Sequence, residues 1–279
     1  MGLACPLPRT ALAPCSLAAV LRHVESPDGV PIACEISGQG PALVLVHGAG
    51  SARSGFDALR PLLEGSFTVV AVDRRGRGDS GDAEREYSVE SEFGDVAAVM
   101  ADAREGAVLF GHSYGALVAA GAASLVPRVD KLVLYEPPMG GVLAGEGWIE
   151  RYESQLESGR RAAAVGEFLR QVGGYSEAEI AAMRDTPAWA MRLAAAPTVP
   201  RELRAEHAFA LDSLGLGRLR TSCLMLLGSQ SPAWAHRSTD AYAAALADVR
   251  VERLEGHGHG GVVSASELVS RLVIGFGLG

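Results

Sequence analysis

Ser113 stands in Gly111-His112-Ser113-Tyr114-Gly115, where the apolar run 107–110 stops and Ala116, Leu117, Val118, Gly121, Ala122 and Leu125 continue at helical spacing. A serine at such a strand-to-helix joint is forced into a strained backbone. Side chains two residues before or after it would strike neighbouring backbone, so glycine suits both places. The hydroxyl is then held clear of a sheet at a helix N-terminus, and Ser113 reads as a nucleophile. A serine hydroxyl is a weak nucleophile at neutral pH and needs a base to take its proton. Of the seven histidines, His257 and His259 share the glycine-rich stretch Gly256-His257-Gly258-His259-Gly260-Gly261. His47 lies in His47-Gly48-Ala49-Gly50, His112 is too near Ser113 in the chain to swing over its hydroxyl, and His23, His207 and His236 have no motif around them. A metal site using His257 and His259 would need further ligands, and no cysteine, histidine or carboxylate cluster has the spacing.

These residues need a frame. Two short strands, about 23–26 and 32–37, flank the turn Pro27-Asp28-Gly29, and the apolar run 42–46 is of the kind buried on both faces of a parallel sheet. A helix carrying Phe56, Leu59, Leu62 and Leu63 leads to a strand over 67–72, which ends at Asp73. The loop 73–80 precedes a helix from about Ser88 with Val89, Phe93, Val96, Ala97 and Met100 at helical spacing. Beyond the serine, a buried strand over 132–135 ends at Glu136-Pro137-Pro138. From 139 to 218 no strand-like run occurs, and the spacing predicts short helices inserted as a lid. Strands return at 223–227 and 249–254 around a helix near 235–246, and a last helix carries Leu268, Val269, Leu272, Val273 and Phe276. Strands and helices in alternation predict an α/β, doubly wound, mostly parallel eight-stranded sheet. The expected organisation is a disordered, proline-containing arm over 1–20, a core over 21–138 and 219–279, and the lid over 139–218.

A chain of 279 residues, 48% hydrophobic and 21% charged, can bury the core of one large domain. No apolar run approaches the roughly 20 residues of a membrane span. The net charge of −8 argues against nucleic acid as partner. Arg74, Arg75 and Arg77 form the densest basic cluster, and with Asp73 and Asp79 beside them they read as a solvated or salt-bridged loop. Cys5, Cys15, Cys34 and Cys223 have no pairing or metal spacing, which suits reduced thiols and a cytoplasmic protein. No dinucleotide-binding loop or P-loop is present, so no cofactor is expected.

The order of these pieces resembles the α/β-hydrolase family over about residues 23–278: His47-Gly48 after the third strand, the 73–80 loop after the fourth, the 111–115 turn after the fifth and a glycine-bracketed histidine after the last. The resemblance aligns Gly-x-Gly-His on residues 256–259 and so selects His259 as the base. The orienting acid in this family usually follows the seventh strand, where this chain reads Gly228-Ser229-Gln230-Ser231-Pro232 without a carboxylate. Some members use the end of the sixth strand instead, which here is Glu136. The resemblance further implies an oxyanion hole from the backbone N–H groups of Ala49 and Tyr114. Phe56, Trp148, Trp189 and Trp234 are expected to line an apolar substrate pocket. The implied activity is cofactor-independent cleavage of an ester, lactone or thioester of a small to medium apolar molecule by a Ser-His-Glu triad. A cyclase or acyl-rearranging enzyme and a catalytically silent ligand-binding relative remain as alternatives. Epoxide hydrolases and haloalkane dehalogenases are disfavoured, because they put aspartate where Ser113 stands.

Overall fold

The computed structural model describes residues 19–84, 86–103, 106–126, 129–141 and 147–279. The chain opens with β1 (Val20–Glu25) and β2 (Pro31–Gly38), followed by β3 (Ala42–Val46), α1 (Arg60–Leu63), β4 (Thr68–Val72) and α2 (Val89–Asp102). The centre is β5 (Val108–His112), α3 (Tyr114–Leu125) and β6 (Lys131–Tyr135). A run of helices follows: α4 (Trp148–Glu157), α5 (Arg161–Gln171), α6 (Glu177–Met183), α7 (Pro187–Ala195) and α8 (Val199–Ala208). The chain closes with β7 (Ser222–Gly228), α9 (Ala233–Ala245), β8 (Val249–Leu254), α10 (Gly261–Ser264) and α11 (Ser266–Gly277).

The eight strands form one sheet in the order β1-β2-β4-β3-β5-β6-β7-β8. β2 runs antiparallel to both β1 and β4, and every later pair is parallel. This is the mostly parallel, eight-stranded α/β architecture that the sequence predicts. Alternating side chains divide the core between the two faces of the sheet. Val44, Val46 and Leu109 face α2, α3, α9 and the helices between β6 and β7, whereas Leu43, Leu45, Val108 and Phe110 face α10 and α11. Full burial of each such side chain contributes about 1.5–3 kcal/mol.

Register decides what meets at the sheet edge. Val46 pairs with Gly111, His112 with Tyr135, Tyr135 with Leu226, and Gly228 with Leu254. The carboxyl ends of β3, β5, β6, β7 and β8 are therefore level, and the loops leaving them share one edge, where ligands bind in open α/β sheets.

Four local expectations need correction or placement. The helix carrying Phe56 to Leu63 is instead a 3-10 turn, Arg53–Phe56, and the single helical turn α1, whose proline Pro61 cannot donate a backbone hydrogen bond. β1 begins at Val20, earlier than the strand expected from 23. The arm, with Cys5 and Cys15, otherwise lies outside the described residues, while Cys34 and Cys223 are buried free thiols in β2 and β7. Finally, of the two readings of Arg74, Arg75 and Arg77 the salt-bridged one holds: all three are buried and paired rather than solvated.

Those arginines join the inserted helices to the sheet. Arg74 grips Glu92 of α2 through two bonds of 2.5 and 2.8 Å, and Arg75 grips Asp95 through two of 2.7 Å. Arg74 and Arg77 both reach Glu202 of α8. Trp148, Tyr152, Phe168 and Leu203 of the inserted helices share the core of α2 and α3.

Candidate active site

Ser113 follows the last residue of β5 and precedes α3, with φ 55° and ψ −127°. Glu136, at the end of β6, has φ 50°. These are the two non-glycine residues with positive φ among the described residues, so backbone strain is concentrated at two neighbouring strand ends. Ser113 is held there because its N–H donates to the Tyr135 carbonyl at 2.8 Å and its own carbonyl accepts from Ala116 N–H at 2.7 Å. The glycines of the motif are sterically required. A Cβ at Gly111 would lie 2.4 Å from the Gly115 carbonyl oxygen, and one at Gly115 would lie 2.3 Å from that of Val46.

His259 is buried, and its Nδ1 donates to Glu136 Oε2 at 2.5 Å. That tautomer leaves Nε2 with a free lone pair, as a general base requires. The other carboxylate oxygen of Glu136 accepts from the Gly228 N–H at 2.7 Å and from the Ser231 hydroxyl at 2.6 Å. The stretch after β7 without a carboxylate therefore supplies two donors that hold the carboxylate arriving from β6. Two further bonds fix the histidine loop: His112 Nε2 donates to the His259 carbonyl at 2.9 Å, and the Tyr135 hydroxyl donates to the Gly258 carbonyl at 2.7 Å. The His112 ring, one residue before Ser113, lies 4.8 Å from the His259 ring. Burial, then the His259 charge, push the His112 pKa down to about 3, so His112 works here as a neutral donor. The Ser113 hydroxyl makes no hydrogen bond among the described residues, and apo sites often form that bond only when substrate arrives.

The 47–50 loop after β3 faces the serine, and a Cβ at Gly48 would lie 2.9 Å from Ser113 Cβ. His47 braces this loop. Its Nδ1 donates to the Gly48 carbonyl at 2.9 Å and its Nε2 accepts from the Arg74 N–H at 3.2 Å. Burial, then Arg74, drive its pKa well below the usual value. Tyr114 opens α3, so its N–H has no acceptor within the helix and points with the positive helix end toward the serine edge. The Tyr114 ring turns away from that edge: its hydroxyl bonds Tyr87 at 2.9 Å and the Arg74 guanidinium stacks 4.6 Å from its centre.

The four aromatic residues expected in the pocket are scattered. Trp234 packs edge-on against His259 at 5.0 Å while its Nε1 donates to the Val172 carbonyl at 2.9 Å. Trp148 stacks on Tyr152 at 5.1 Å, and Trp189 carries the Arg184 guanidinium 4.9 Å from its ring centre. Phe56 stands under the opposite face of the sheet, edge-on to Phe110 at 5.9 Å. A separate cleft of about 580 Å³ opens beside the 73–80 loop among the paired charges of Arg53, Asp57, Arg60 and Asp79, and none of Ser113, Glu136 and His259 lines it. Among the described residues no group of three or more His, Cys, Asp or Glu side chains is arranged to hold a metal ion, and no helix is long and apolar enough to cross a membrane.

A sequence model of the alpha/beta hydrolase family matches residues 43–272. The chain belongs to that family. It is similar to the crystal structure of an alpha/beta hydrolase from Sphaerobacter thermophilus, with 32% identity, a TM-score of 0.79, and coverage of 91% of this chain and 99% of that one. It is also similar to an esterase from a Rhodococcus species, with 26% identity, a TM-score of 0.72, and coverage of 91% and 98%. Among curated proteins it is 36% identical over 98 residues to the 2-(acetamidomethylene)succinate hydrolase of Mesorhizobium japonicum, a match covering 35% of each chain. The aligned segment thus spans about a third of that relative's length. Hydrolases and an esterase are thus among the proteins that this alpha/beta hydrolase family member is similar to.

Ser231, His112 and Tyr135 are residues beside the site that the motifs do not announce. Ser231 alone carries a local signal, because it stands where the family usually has its acid.

Proposed function

We propose that this chain is a cofactor-independent serine hydrolase that cleaves an ester, lactone or thioester of a small to medium, mainly apolar substrate through an acyl-enzyme. In this reading Ser113 Oγ attacks the carbonyl carbon while His259 Nε2 takes its proton. Glu136, bonded to Nδ1, orients the ring and stabilises the imidazolium that forms. The N–H groups of Tyr114 and Ala49 receive the oxyanion, each worth about 100-fold to 1000-fold in rate. His259 then protonates the leaving oxygen or sulfur, and a water activated by the same nitrogen releases the acid and frees Ser113. The free Cys34 and Cys223 thiols accord with a reducing, cytoplasmic setting.

The observation that carries this reading is the bond between His259 and Glu136, with the carboxylate held by Gly228 and Ser231, on the sheet edge that bears the strained Ser113. The relatives named as an esterase and as a hydrolase of a succinate derivative add support. The experiment is turnover of short p-nitrophenyl esters together with labelling by a fluorophosphonate. The expected result is a single adduct on Ser113 that Ser113→Ala abolishes along with turnover. Folded protein whose Ser113 takes no label would remove the proposal, and a product mass lacking the elements of water would replace hydrolysis by cyclisation or acyl rearrangement at the same serine.

A further inference from the structure

Arg192, on α7, is a cation without a counter-charge beside this site. Its Nη1 donates to the Gly50 carbonyl at 3.4 Å, its Nε lies 3.2 Å from Met183 Sδ, and its guanidinium stands 5.8 Å from the centre of the Tyr175 ring. None of these partners is charged. Among the described residues no carboxylate pairs with Arg192, whereas the arginines of the 73–80 loop and Arg201 and Arg204 of α8 each have one.

Three relations place this guanidinium against the reacting groups. Gly50 is the residue after Ala49, on the loop that faces Ser113. Tyr175 marks the other side: a Cβ at Gly260, next to His259, would lie 2.5 Å from its hydroxyl. The charge of Arg192 is also felt at His112, between the two, where it adds to the forces that keep that imidazole neutral. Arg192 therefore spans from the serine side to the histidine side of the edge. The surrounding walls are apolar. Phe168 and Val199 come within 3.1 and 3.5 Å of a Cβ built at Gly50, and Trp234 packs on His259.

A half-buried guanidinium whose partners are a carbonyl, a thioether and a ring face has no anion beside it among the described residues, and an anionic ligand supplies one. Its planar fork matches a carboxylate in bidentate geometry. We propose that Arg192 binds a carboxylate of the substrate, so that the molecule cleaved is an ester or thioester bearing an anionic group, with apolar carbons against Phe168, Val199 and Trp234. This rests on the serine-hydrolase reading above and adds to it the charge of the substrate.

The test compares two esters of equal length, monoethyl glutarate and ethyl pentanoate, which differ in carrying a carboxylate or a methyl group at the far end. Proton release is followed in the wild type, Arg192→Gln and Arg192→Lys. The wild type is expected to favour the anionic ester at least 10-fold in kcat/KM, mainly through KM. Arg192→Gln should reduce that ratio by about 10-fold to 100-fold, and Arg192→Lys should retain part of it. A wild type that treats the two alike or favours the methyl compound, or an Arg192→Gln protein that keeps the ratio, overturns the proposal. Failure of the hydrolase reading shows separately. If neither ester is cleaved, glutarate is titrated into the wild type and Arg192→Gln: affinity at least 10-fold weaker in the variant upholds the carboxylate site without the chemistry, and equal or absent binding ends both.

Discussion

Glu136 joins two demands in one residue: a left-handed backbone at the end of β6, and a carboxylate shared between His259 and the turn after β7. Glu136→Gln keeps the shape but removes the charge that stabilises an imidazolium. It should lower kcat for ester turnover about 1,000-fold to 10,000-fold, with the fold intact by circular dichroism. Ser231→Ala removes one of the two donors to Oε1, a charge-assisted bond worth roughly 1.5–3 kcal/mol. Its expected effect is a fall in kcat of about 10-fold with KM changed less than about 2-fold, because Ser231 acts through Glu136. An equal loss in KM would instead make Ser231 part of the substrate pocket.

The element that most depends on buried charge is α8. Glu202 accepts from Arg74 and is ion-paired with Arg77 inside the protein, and Arg74 in turn stacks on Tyr114 at the start of α3. Burial, then the neighbouring Arg74 charge, already lowers the Arg77 pKa to about 10, so the two cations are held together by Glu92 and Glu202. Glu202→Ala leaves that pair with one carboxylate. Breaking a buried ion cluster in this way costs about 3–5 kcal/mol, readable as a lowered urea midpoint. Limited proteolysis of the variant should cut first within 139–218, since α8 ties that region to the sheet. Protection equal to the wild type would mean that apolar packing of Trp148, Tyr152 and Phe168 alone fastens the insertion.

For the whole molecule, the buried imidazoles set the response to acid. The unfolded chain protonates its histidines below about pH 6.5, whereas folded His112 refuses a proton down to about 3 and folded His47 is also held well below its ordinary value. Across that interval the unfolded state binds more protons, so stability falls as the pH is lowered. The slope should be about 1.4 kcal/mol per pH unit for each imidazole. Glu92 acts in the same direction at lower pH. Burial opposes its ionisation, but Arg74 and Arg77 outweigh burial and hold its pKa at about 2, so its contribution, complete above 4.5, is lost as the pH falls toward 2. Urea unfolding at pH 7.5, 6 and 5 should show a steady decline beginning below about pH 6.5. A flat profile would mean that these imidazoles are hydrated in the folded protein.

The parts of this molecule legible in its amino-acid order are those governed by near neighbours. The turn at Ser113 is one, because Gly111 and Gly115 stand where any Cβ would strike backbone. The apolar runs 42–46, 108–110 and 132–134 within β3, β5 and β6 are others, because burial on both faces leaves no polar position inside them. The segment from Phe56 to Leu63 misleads for a local reason too, since apolar spacing there suggests a helix that Gly55 and Pro61 break up. Long-range geometry settles the rest. His259 and Glu136 are 123 positions apart, and the carboxylate reaches the ring because β6 lies between β5 and β7 in the sheet and their ends are level. The same placement brings Ser231 to Glu136, sends Phe56 beneath the opposite face, buries the three salt-bridged arginines of the 73–80 loop, and leaves Arg192 against Gly50 with no carboxylate paired to it among the described residues. Periodicity and turn chemistry act over a few residues and so can be read in order along the chain. Which distant side chains meet is decided by strand order and register, and these exist only once the sheet has formed.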